Sequence, residues 1–120
     1  MLNPSGWWVV QAPVDLRCGM DRLLLQVQVL GGDPFAGGAW VFRNRCGTRI
    51  KLLYVDLQGV WLAVRRLHRG RFVWPCAGDA TWGMSAEQFA WLSAGVDWQR
   101  LSVKKGKRPV TPPSFAYCSV

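Results

Sequence analysis

Residues 39–74 read AWVFRNRCGTRIKLLYVDLQGVWLAVRRLHRGRFVW, and the fold turns on how this stretch is parsed. It divides into four short runs, Ala39–Arg43, Arg49–Asp56, Val60–Leu67 and Arg71–Trp74. Each is rich in the β-branched and aromatic residues that favour strands. The connectors Asn44-Arg45-Cys46-Gly47, Leu57-Gln58-Gly59 and His68-Arg69-Gly70 all end in glycine, as short hairpin loops often do. The simplest topology for such a series is an antiparallel β-meander of about four strands.

A meander has a consequence for charge. Alternate turns lie at the same end of the sheet, so the turns at 44–47 and 68–70 are expected side by side, with Asp56 at the far end. Arg43, Arg45 and Arg49 are thereby expected to meet Arg66, Arg69 and Arg71. Lys51 shares a face with Arg49 because residues two apart on a strand point the same way. Residues 43–71 carry eight basic residues and one acid, Asp56, a balance of +7, while 1–42 and 72–99 are each slightly acidic. A basic block on a mildly acidic frame points to a polyanion-binding surface.

Outward on the N-terminal side, Trp7–Gln11 reads as a strand and Asp15–Leu30 as a helix. At 100° per residue, Leu16, Met20, Leu23, Leu24, Val27 and Leu30 form one apolar stripe. Asp15 is placed to cap this helix and Gly31 to end it. Leu25 and Val29 fall on the opposite side, where either another segment covers them or a partner protein or second copy does. On the C-terminal side, Pro75 ends the sheet. A second helix follows from Ser85, with Ser85 and Gln88 at capping-box spacing and Met84 and Phe89 at staple spacing. Phe89, Leu92 and Val96 form its buried side, and Gly95 stops it. Residues 1–99 therefore make one α+β domain, with one helix before the meander and one after. Residues 100–120 form a basic, proline-containing tail with Lys104, Lys105, Lys107 and Arg108, readable as a nucleic-acid arm or as a disordered extension.

Composition excludes several classes. The chain has 120 residues, half of them hydrophobic and 8 of them Trp, with a net charge of +8. That length supports one core, and that hydrophobicity excludes disorder for most of the chain. No apolar stretch approaches the length of a membrane span, and a soluble, cytoplasmic protein is expected. Cys18, Cys46, Cys76 and Cys118 contain no closely spaced pair and there is a single histidine, His68, so neither a zinc site nor another cofactor is expected and the thiols are read as reduced.

Catalytic constellations are sparse. His68 sits in a basic loop, better suited to solvation than to nucleophile activation. Asp15, Asp21 and Asp56 are the plausible trio for a metal-dependent nuclease, since that chemistry needs convergent carboxylates. Against this stands the simpler reading of Asp15 as a cap and Asp21 as an arginine partner. The aromatics between the arginines suit a core better than base stacking. The arginines taken together suit phosphate contact.

These residues also carry a resemblance. Pro13-Val14-Asp15-Leu16-Arg17-Cys18-Gly19-Met20-Asp21, Asp33-Pro34-Phe35-Ala36-Gly37, the run from Val41 to Leu53, the run from Arg66 to Pro75, and Gly95-Val96-Asp97-Trp98 follow in order. Together they resemble the small accessory proteins (TnpB, or second open reading frame) of the insertion sequence sixty-six family of bacterial transposable elements. The resemblance runs from about residue 9 to residue 98. It implies a role beside a separate, larger transposase that performs the strand chemistry, and no catalytic residues carry over. The combined expectation is a non-enzymatic accessory protein that contacts DNA phosphates through Arg43, Arg45, Arg49, Lys51, Arg66, Arg69 and Arg71. The alternatives are an adaptor to the transposase through Leu25 and Val29, and a small nuclease.

Overall fold

The computed structural model describes residues 4–75 and 78–99. Among these residues five strands form one sheet in the order β4-β3-β2-β1-β5, with β1 at Gly6–Val10, β2 at Gly38–Arg43, β3 at Arg49–Val55, β4 at Val60–Arg66 and β5 at Thr81–Met84. The helices are α1, Met20–Val29, between β1 and β2, and α2, Ala86–Ser93, after β5. The α+β class, the helix before the meander and the helix after it are as expected.

Within that class, the extent of the meander differs. The meander has three strands, β2-β3-β4, and the fifth strand is Thr81–Met84 rather than Arg71–Trp74. Residues 71–74 run irregularly under the sheet, pinned by two indoles. Trp74 donates to the carbonyl of Val10 at 2.9 Å, and Trp98 donates to the carbonyl of Val73 at 2.8 Å. The N-terminal strand, β1, lies parallel to β2 through the α1 crossover and antiparallel to β5. Parallel neighbours need such a crossover, and the strand–helix–strand order of residues 6–43 supplies it.

The two faces of the sheet bury separate cores. Val10, Trp40, Phe42 and Leu53 pack with Leu23 and Val27 of α1 on one face. Val9, Ala39, Val41, Ile50, Leu52 and Tyr54 pack with Phe72, Trp74, Leu92 and Trp98 on the other. Hence all six residues of β2 are buried. Trp7 stacks on Phe89 of α2 with ring centroids 4.3 Å apart.

The helices differ from expectation at their ends. Ser85 caps α2 with the full reciprocal box to Gln88. Asp15, in contrast, does not cap α1: Gly19 occupies the N-cap without a side-chain bond, and Asp15 instead takes the backbone and side chain of Arg17. Both helices stop in a Schellman turn. Gly31 (φ 88°) and Gly95 (φ 79°) adopt the left-handed conformation, and the amides of Gly32 and Val96 reach back to Val27 and Trp91. Of the expected apolar stripe, Leu23 and Val27 are buried, whereas Met20 is exposed. Val96 is also exposed, because it lies past the turn that ends α2.

Candidate nucleic-acid interface

The basic rim is built by two adjacent turns. Asn44 organises the first: its side-chain oxygen accepts from the amides of Thr48 and Arg49, and its own amide reaches the carbonyl of Arg49. The chain leaving β4 then runs alongside. Leu67 donates to the carbonyl of Thr48, and Phe72 to the carbonyl of Gly47. The two turns therefore sit side by side as the meander requires.

Register decides which cations meet. In the β3–β4 ladder Arg49 lies opposite Arg66, Ile50 opposite Arg65 and Lys51 opposite Val64. The bonds Leu67 to Thr48 (3.1 Å) and Asp56 to Gly59 (2.9 Å) bracket this ladder and fix its phase. Arg49 and Arg66 are consequently a non-hydrogen-bonded pair, the kind whose side chains approach closest. Like charges directly opposite destabilise a sheet unless something neutralises them.

Arg49, Lys51 and Arg66 share the face that carries α1. Beside them is an open groove of about 560 Å³, lined among others by Arg17, Asn44, Arg45, Arg49, Lys51 and Val64. The Lys51 ammonium donates to the carbonyl of Cys18 at 3.4 Å, tying the pre-helix loop to the rim. The carboxylate in this groove, Asp15, is bound by Arg17 through two side-chain bonds of 3.0 Å. That hydrogen bonding holds the Asp15 carboxyl at about 2, well below its ordinary value.

Other expected contacts are placed elsewhere. Arg43 is buried: its guanidinium donates twice to the carbonyl of Gln11, at 3.2 and 3.1 Å, and lies 6.0 Å from the centre of the Trp74 ring. Burial lowers its pKa from the ordinary arginine value. Arg43 is thus separated from the exposed cluster and braces the rim from beneath. Arg69 and Arg71 are exposed on the neighbouring segment, with Arg71 beside Gly47. Arg65 faces the opposite side, where it donates to the carbonyl of Ser93. Lys104, Lys105, Lys107 and Arg108 lie outside the described residues. Leu25 and Val29 are exposed on α1.

The carboxylate trio does not converge. Asp56 closes the far turn of β3, accepting from the amides of Gln58 and Gly59 and from the indole of Trp61. Those bonds lower its pKa. Asp15 lines the groove beside Arg45, Arg49 and Lys51, toward the other end of that strand, and among the described residues no group of three or more metal-ligating side chains gathers. Asn44 and Arg17 were not among the expected site residues. An asparagine opening a Gly-ending turn was the signal for the first.

A family model described as IS66 Orf2 like protein matches residues 5–103. The chain belongs to this family. It is therefore a member of the accessory proteins of IS66-type insertion sequences. Two relatives come from Sinorhizobium fredii (strain NBRC 101917 / NGR234). Uncharacterized protein y4hO is 42% identical over 101 residues, covering 80% of this chain and 88% of the relative. Uncharacterized protein y4jC is 39% identical over 113 residues, covering 91% and 97%. No solved structure matches. No helix among the described residues is long and apolar enough to cross a membrane.

Proposed function

We propose that this IS66 Orf2-like protein acts in transposition as a non-enzymatic, cytoplasmic DNA-contacting factor. It grips phosphates through Arg45, Arg49, Lys51, Arg66, Arg69 and Arg71, while the transposase of the same element does the strand chemistry. The observation that carries this reading is the closest-approach pairing of Arg49 with Arg66, flanked by Lys51 on the same face. A sheet edge gains nothing from such a pair alone, whereas a phosphate between the two guanidiniums turns repulsion into two charge-assisted contacts. Base reading is not part of the proposal. α1 carries a single basic residue, Arg22, and α2 carries none, so neither offers the recognition helix that major-groove readers use.

A salt titration of binding to duplex DNA tests this. Neutralising six phosphates makes log affinity fall against log salt with a slope of about −5. Absence of binding at low salt refutes it. A second reading, an adaptor to the transposase, is favoured by the exposure of Leu25 and Val29 on one side of α1. Replacing both with Lys would then abolish co-purification with the transposase and leave the salt slope unchanged.

A further inference from the structure

The two edges of the sheet are unlike each other. β5 has four residues and contains Gly83, so it offers little to a new strand. β4 has seven residues in unbroken register with β3, without a bulge, and all seven are exposed. Its first five, Val60-Trp61-Leu62-Ala63-Val64, are apolar and include no proline, lysine or glycine. Natural edges are usually blunted by such residues, by bulges or by shortness. This one is not.

The ladder phase says which backbone groups are on offer. Trp61, Ala63 and Arg65 direct their amides and carbonyls toward β3. Val60, Leu62, Val64 and Arg66 therefore direct theirs outward. The side chains complete the surface: Val60, Leu62 and Val64 lie on the α1 face, and Trp61 and Ala63 on the other.

We propose that β4 is a homodimerisation edge, pairing antiparallel with β4 of a second copy about a two-fold axis at Ala63. The argument for a second copy is self-complementarity of charge. The strand is apolar at its start, beside Asp56, and basic at its end, Arg65 and Arg66. An antiparallel partner of the same sequence sets the two arginines of each copy opposite Val60 and Trp61 of the other. Arg65 then faces the Trp61 ring, which is hydrogen-bonded to the Asp56 carboxylate. A parallel arrangement would instead stack four arginines at one end. Full overlap of residues 60–66 forms about eight new backbone hydrogen bonds and sets the apolar side chains on each face beside those of the partner. It also joins the two sheets into one, with both basic rims on the same face.

The test uses the full chain and no DNA, so its outcome is independent of the phosphate-binding reading. Sedimentation equilibrium should give twice the 13.5 kDa chain mass. Leu62→Pro removes an outward amide only and leaves the β3–β4 ladder its bonds; Leu62→Lys places charge on the edge without touching the backbone. Both should give folded monomers, with circular dichroism as the control. Ala63→Cys should form a disulfide with itself across the axis, because a non-hydrogen-bonded pair holds Cα atoms about 4.5 Å apart. The chain with only its native cysteines serves as the reference. A monomeric wild type overturns the proposal, as does a dimer that survives both Leu62 variants and yields no Ala63→Cys crosslink. A wild-type monomer whose β4 edge instead captures the transposase overturns the choice of occupant.

Discussion

Arg43 and Arg66 end two strands that run in the same direction, two places apart in one sheet, yet they serve opposite purposes. Arg43 closes β2, which has a strand on each side and a core on each face, and its guanidinium is spent on the Gln11 carbonyl and the Trp74 ring. Arg66 closes β4, which has one neighbouring strand among the described residues, and it faces Arg49 across that ladder. The difference is one of strand order. In the middle of the sheet a cation is desolvated and must be satisfied by the protein, so it becomes a brace. At the edge it keeps its water and is available to a polyanion.

The comparison is broken most severely from the inner side. Trp74→Ala removes the largest fully buried side chain and leaves the Val10 carbonyl without its donor. A loss of about 3–5 kcal/mol in denaturant unfolding is expected. Arg43→Ala comes next, costing about 1–3 kcal/mol because the Gln11 carbonyl loses both its donors. DNA affinity of the chain that remains folded should not change. If affinity fell with stability intact, Arg43 would be a ligand contact and the contrast would be false.

The outer side should show the reverse. Arg49→Gln with Arg66→Gln is expected to shift unfolding stability by no more than about 0.5 kcal/mol. The same pair should flatten the salt dependence of DNA binding by about 2 units of slope. A large stability loss with an unchanged slope would move these arginines into the structural class with Arg43.

Much of this was legible in the residues. The hairpin turns at 44–47 and 56–59, the capping box at Ser85 and the glycine stops at Gly31 and Gly95 are local chemistry, and local chemistry survives folding. Adjacency of the two basic turns followed from meander geometry alone. What stayed hidden depends on contacts distant in sequence. Nothing near Arg43 announces that Gln11 lies beneath it, and nothing in Arg71–Trp74 says that indoles from Trp74 and Trp98 will hold it outside the sheet. The run has strand composition; its amides and carbonyls simply have better partners available. Asp15 misled for a similar reason. An aspartate before an apolar stripe suits an N-cap, but Arg17, two residues on, competes for the same carboxylate and wins with two side-chain bonds.

The smallest effect is a pH dependence at the far turn of the outer hairpin. Asp56 accepts from Gln58, Gly59 and Trp61, and those bonds depress its folded pKa below the unfolded value of about 3.9. Because the folded value is the lower one, the contribution is fully present above the unfolded pKa and is lost as pH falls through the folded value. Asp56→Asn keeps an acceptor for the turn amides but cannot ionise, so it should be less thermally stable than wild type at pH 7. The gap should close as both are taken below the folded pKa of Asp56, where the wild-type carboxyl is protonated and resembles the amide. Asp15, held at about 2, is present in both chains, so its titration leaves the difference untouched. Melting temperatures measured in parallel from pH 7 downward decide the matter. A gap independent of pH would mean that the turn is shaped by hydrogen bonding alone and that the Asp56 charge contributes nothing to the edge it closes.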